Sequence, residues 1–131
     1  MHDGAAFHRK MIGEKIMDNE KVYAMSLAKL YSCLVNKATR KGRTEEEVKE
    51  VMEWLMGYSP EEIDRLVQED IPYGDFFRKA PMMNPRRKMI TGSICGIKLD
   101  SIEDPLMQDI RYLDKLIDEL AKGKSMEKIK R

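Results

Sequence analysis

Asp104-Pro-Leu-Met-Gln-Asp-Ile-Arg-Tyr-Leu-Asp-Lys-Leu-Ile-Asp-Glu-Leu-Ala-Lys-Gly123 is the stretch whose reading decides the fold class. Asp104 and Pro105 stand as cap and first turn of a helix, and Gly123 follows Lys122 as its stop, the order expected of helix start and stop signals. Between them Leu106, Ile110, Leu113, Ile117 and Leu120 recur at 4-3-4-3 spacing, one stripe of an α-helix. Burying five such side chains contributes roughly 7–15 kcal/mol gross, before the entropy of ordering them is subtracted. Asp118 and Lys122 add a weak i,i+4 pair outside the stripe. Arg111, Tyr112 and Lys115 lie off it, and a buried stripe does not account for them.

Working back from this helix, the same period recurs. Tyr23, Leu27, Leu30, Tyr31, Leu34 and Val35 share one face of a helix that runs to about Lys41 and stops at Gly42, with Ser32 able to interrupt it. Thr44 and Glu47 form a capping box that starts a second helix. Its stripe is Val48, Val51, Met52 and Leu55, with Trp54 and Met56 at the borders and Glu46, Glu50 and Glu53 on the opposite face. Gly57 closes it. Ser59, Pro60 and Glu62 repeat the capping signal for a short helix burying Ile63, Leu66 and Val67. Phe76 and Phe77 read as core plugs, and Asn84 before Pro85 signals another helix start.

The least determinate stretch is Lys88 to Leu99. Its isoleucines fit a helix early and alternation late, so the favoured reading is a helix to about Cys95 followed by an extended connection near Ile97–Leu99. A short strand or hairpin is the alternative. On a helix, Gly92 and Gly96 would form a smooth strip.

The chain has 131 residues, 42% hydrophobic and 36% charged, with 24 basic against 23 acidic side chains. That length supports one domain with its own core. The expected architecture is all-α, a compact bundle of about five to six helices over residues 23–131, preceded by a loosely ordered extension at 1–22. Balanced charge disfavours a dedicated polyanion binder. Cys33 and Cys95 are too few for a disulfide framework and belong to no C-x-x-C pair, which points to a reducing cytoplasm and to two buried structural thiols. No apolar run has the length of a signal peptide or a membrane span, so neither secretion nor a membrane is expected.

Several chemistries can be weighed residue by residue. Lys37, Arg40, Lys41 and Arg43 beside a helix junction invite a helix-turn-helix reading, but the next helix would bring five glutamates toward DNA phosphates, so nucleic acid is disfavoured. Helix C-terminal placement accounts for that basic group. Around Cys95, Ile94 occupies the position where a G-x-S-x-G elbow needs serine, and the only histidines, His2 and His8, lie in the extension. Asp100, Glu103, Asp104 and Asp109 lack the spacing of a calcium loop, and Asp109, at the edge of the apolar stripe between Leu116 and Leu120, is expected to be exposed, a contact with a basic or hydroxyl group being the alternative. No catalytic set, metal site or cofactor is expected.

Arg86, Arg87 and Lys88 oppose the dipole of the helix they begin. With Thr91 and Ser93 they could hold a phosphate or carboxylate against backbone N–H groups near Gly92–Gly96. Arg111, Tyr112 and Lys115 complete this candidate ligand site. The competing reading is a solvated turn or an internal salt-bridge cluster. Eleven methionines, including Met82 and Met83, can fill a core or give an adaptable contact surface.

Arg40-Lys-Gly-Arg-Thr-Glu-Glu-Glu-Val48, Glu53-Trp-Leu-Met-Gly-Tyr58, Phe76-Phe-Arg-Lys-Ala-Pro81, Asn84-Pro85, Ile90-Thr-Gly-Ser-Ile-Cys-Gly96 and the stretch from Asp104 to Lys124 together resemble an uncharacterised bacterial domain-of-unknown-function family, the one numbered 2200. The likeness runs from about Tyr23 to the end. Met56 stands where threonine is expected, and Ser32-Cys33 depart from an expected proline-containing pattern, so the likeness does not place the break in the first helix. It implies a bacterial, cytoplasmic protein and supplies no activity, cofactor or catalytic residue. The functional expectation is therefore a non-enzymatic helical module that self-associates or binds another protein. A binder of a small anionic ligand, or an enzyme acting on one, is the second expectation.

Overall fold

The computed structural model describes residues 18–131, and the expectation of a loose extension at residues 1–17 lies outside them. Residues 18–24 are helical, so the regular structure begins upstream of Tyr23. The architecture is mainly α: α1 Leu27–Thr39, α2 Glu45–Met56, α3 Pro60–Glu69, α4 Tyr73–Arg78, α5 Pro105–Ala121 and α6 Met126–Ile129. Between α4 and α5 lie 3₁₀ turns at Pro85–Met89 and Leu99–Ser101, and a two-strand hairpin of β1 Ser93–Ile94 and β2 Ile97–Lys98.

α5 is capped by Asp104, whose side chain accepts from the Leu106 N–H, and carries the stripe that runs from Leu106 to Leu120. It sits at the centre. Every residue from Leu106 to Ala121 is buried or half-buried, because α1, α2, α4, α6 and the α4–α5 connection all pack on it. The apolar stripe is there, but half-buried Leu106 lies at its edge, and Tyr112 is buried with the core. A surface helix shows one wet face; a surrounded one does not. That is why Tyr112, read from the sequence as unexplained by the core, belongs to it.

α1 runs parallel to α5. The Tyr23 hydroxyl donates to Asp104 at 2.6 Å, Lys37 pairs with Asp118 at 3.3 Å, and Arg43 donates to the carbonyls of Leu120 (3.3 Å) and Lys124 (2.8 Å). Arg43 thereby ties the start of α2 to the last turn of α5 and to the segment that follows it. The break before α1 falls at Met25–Ser26 and not at Ser32. Ser26 caps the helix, Asp70 accepts from the Ser26 hydroxyl and the Ala28 N–H, and Met25 and Leu27 exchange backbone hydrogen bonds with Tyr73 and Ile71.

Both capping boxes form, and Gly57 ends α2 in the left-handed region. Phe76 and Phe77 are buried as expected, with the Tyr58 ring stacked 5.0 Å from Phe76 and its hydroxyl donating to the Phe76 carbonyl. The expected helix over Lys88 to Cys95 is corrected. Cys95 (φ 51°) and Gly96 (φ 77°) both have positive φ, the requirement of a two-residue type I′ hairpin turn, and a helix cannot contain them.

Candidate functional site: the α4–α5 arm

The chain from Met82 to Lys98 forms an arm whose base is tied to α2 and whose body lies along α5. At the base, Met82 N–H donates to the Met56 carbonyl, Asn84 N–H to Leu55, and the Asn84 amide to Trp54. These close carbonyls at the end of α2 that would otherwise lack partners. Asn84 also caps the 3₁₀ turn by accepting from the Arg86 N–H at 2.9 Å. Ile90, Ile94 and Leu99 are buried and anchor the body.

The cations singled out in the sequence stitch this arm to α5. Arg87 donates to Asp109 at 2.8 Å and to the Asn84 carbonyl at 2.9 Å. Lys88 donates to Gln108 at 2.9 Å and lies 5.6 Å from the centre of the Tyr112 ring, within cation–π range. Lys115 donates to the Ser93 carbonyl at 3.0 Å, passing Gly92. Gln108 turns its amide to the Leu99 carbonyl. The structure thus brings Arg87, Lys88, Ser93, Tyr112 and Lys115 together. Arg111 instead pairs with Asp114, and Arg86 and Thr91 stay exposed.

Electrostatics follow the same pattern. Burial pushes the Asp114 carboxyl up, opposed by its hydrogen bond and charge pairing with Arg111. Burial likewise raises the Tyr112 phenol, helped by the nearby Asp109 charge. The internal salt-bridge reading describes Arg87 better than an open anion cradle does, because its guanidinium is engaged by the Asp109 carboxylate and the Asn84 carbonyl, while Lys88 is tied by a hydrogen bond to the neutral Gln108 amide. A groove of ≈ 410 Å³ lies elsewhere, on the outer side of α1, lined by Cys33, Asn36, Lys37, Arg40 and Lys41.

Three sequence expectations are corrected here. Asp109, expected to be exposed, is the half-buried partner of Arg87; nothing in α5 alone reveals that a neighbouring segment covers that side. Cys95 is exposed because it occupies the hairpin turn, and Cys33 because it points outward from α1. What the sequence reading missed is the arm's outer side, where Met89 and Ile97 face water while their neighbours Ile90 and Ile94 are buried. Among the described residues no three His, Cys, Asp or Glu side chains gather as a metal site.

The family described as an uncharacterized protein conserved in bacteria, DUF2200, matches residues 21–131. The chain belongs to this family. A similar solved structure, the crystal structure of the uncharacterized protein SP1917, is 47% identical with a TM-score of 0.81, covering 84% of this chain and 90% of that one. No curated protein matches the chain. The DUF2200 match takes in the whole arm and all of α5, so the site described above lies within the family domain.

Proposed function

We propose that this DUF2200 chain is a non-enzymatic interaction module of the bacterial cytoplasm, which self-associates or binds another protein through its α4–α5 arm. The observation that supports the reading most is where apolar surface stays wet. Of the four exposed large hydrophobic residues among those described, Met82 (72%), Met89 (57%) and Ile97 (38%) all lie on the arm, and Met25 alone lies elsewhere. Exposed apolar side chains concentrated on one element mark contact surfaces more often than the same residues scattered singly. Two of the three are methionines, whose flexible thioethers adapt to a partner. The stitching to α5 contributes rigidity, which lowers the ordering cost of binding. The exposed thiols Cys33 and Cys95 suit a reducing compartment.

The test is the double substitution Met89→Glu with Ile97→Glu, made in the full chain. Met89 is mostly exposed and Ile97 partly so, and circular dichroism is expected to match the wild type, with thermal unfolding confirming that the variant stays folded. Chemical cross-linking in bacterial cells is expected to give discrete adducts with the wild type and to lose them with the variant. An adduct pattern that is the same for both proteins would remove the arm from the proposal.

A further inference from the structure

The near-neutral total charge hides a strong segregation. Residues 45–70, which span α2 and α3, hold ten acidic side chains against Lys49 and Arg65. Residues 79–98, which span the arm, hold Lys79, Arg86, Arg87, Lys88 and Lys98 and no acidic residue at all. Arg87 is paired with Asp109, whereas Lys88 donates to the neutral Gln108 amide oxygen and keeps its charge. Arg86 and Lys98 are exposed beside the wet Met89 and Ile97, and among the described residues their side chains meet no acceptor. The arm therefore asks for a partner that is acidic and partly apolar.

We infer that this partner is a second copy of the chain, docked through the outer face of its α2. That face carries Glu46, Glu50 and Glu53, with Glu46 and Glu53 exposed and without an ion-pair partner among the described residues. Beside Glu53 stands Trp54, the only tryptophan, half-buried at the edge of the stripe and able to receive a thioether or an isoleucine. The arm's base is tied to the C-terminal end of its own α2, but Arg87, Lys88 and Lys115 hold its body along α5, and among the described residues neither Arg86 nor Lys98 pairs with an acid of that helix. An arm-to-arm contact would set like charges against each other. An arm-to-α2 contact matches opposite ones, and a two-fold pair makes it twice. The inference rests on the interaction reading of the arm and narrows it to one partner.

The test is charge exchange in the full chain, followed by sedimentation and by Trp54 emission. The wild type is expected to self-associate across the micromolar range with a blue shift of Trp54. The association should weaken at least about tenfold when salt rises from about 0.1 M to about 1 M and the screening length falls from about 10 Å to about 3 Å. R86E/K98E alone and E46K/E53K alone are each expected to lose association while keeping wild-type circular dichroism. Mixed together they are expected to restore a one-to-one complex, since each reversed arm then meets a reversed face. A wild type that stays monomeric overturns the inference, as does a mixture that fails to associate although both variants fold. In either case the interaction reading still stands or falls separately, on whether Met89→Glu with Ile97→Glu removes adducts to some other protein.

Discussion

Removing Arg87 is the most direct test of whether the basic cluster stitches the fold or waits for a ligand. Its guanidinium lies 2.8 Å from Asp109, with the two side chains 20% and 16% exposed, and it donates a second bond to the Asn84 carbonyl. Such a pair lies between two limits. Exposed ion pairs contribute about 0.2–1 kcal/mol, and breaking a fully buried one costs about 3–5 kcal/mol. Arg87→Ala and Asp109→Ala are each expected to destabilise by about 1–2 kcal/mol, with a coupling of about 1 kcal/mol in the double-mutant cycle. For a domain of this size that is a loss of about 3–6 °C in Tm per kcal/mol. Urea unfolding followed by circular dichroism and Trp54 emission measures all four corners of the cycle. Phosphate added at matched ionic strength is expected to leave the wild-type midpoint unchanged. Zero coupling, together with a phosphate-dependent stabilisation that Arg87→Ala abolishes, would refute the reasoning and restore the anion site.

Three further outcomes follow from local geometry. Gly42 and Gly57 share φ 82°, but a Cβ on Gly42 meets nothing within 4 Å, whereas on Gly57 it would lie 3.1 Å from the Met82 nitrogen. Gly42→Ala should cost about 1 kcal/mol in urea unfolding and Gly57→Ala at least about 1 kcal/mol more, because the Met82 backbone is held by its bond to Met56. Cys95→Asn places the preferred Asn-Gly pair in the type I′ turn, and should raise stability by up to about 1 kcal/mol. The hydrogen bond from Tyr23 holds the Asp104 carboxyl below its ordinary value of 3.8. A carboxyl held low in the folded state contributes stability that is complete above that ordinary value and is lost as pH falls below it. Tyr23→Phe should therefore flatten the fall in urea midpoint between about pH 5 and about pH 3, and an equally steep fall would contradict this assignment.

How much of this was legible beforehand depended on whether a signal was local. The capping boxes at Thr44 and Ser59, the stop at Gly57 and the stripe of α5 are set by residues within a few positions of one another, and each stands where it was read. Misread features depend on what packs from elsewhere. Tyr112 and Asp109 looked peripheral on α5 alone, but the arm covers that side. Ser32 looked able to break the first helix, while the break at Met25–Ser26 is made by Pro72, Ile71 and Asp70 of a distant turn. The hairpin was obscured because Cys95 occupies a left-handed turn position where asparagine or glycine is the usual signal. For the candidate site, the sequence indicated which cations lacked a local reason. Their acceptors, Asp109, Gln108 and the Asn84 and Ser93 carbonyls, come into view only with the arm laid on α5.

The central claim is that the arm's outer side is a protein contact. Site-specific photo-crosslinking in bacterial cells tests it most directly, with the photoreactive residue at position 97 on the arm and, as control, at position 61 on the outer side of α3. Discrete protein adducts from position 97, absent from position 61, are the predicted result. No adduct from position 97, or the same pattern from both positions, would contradict it.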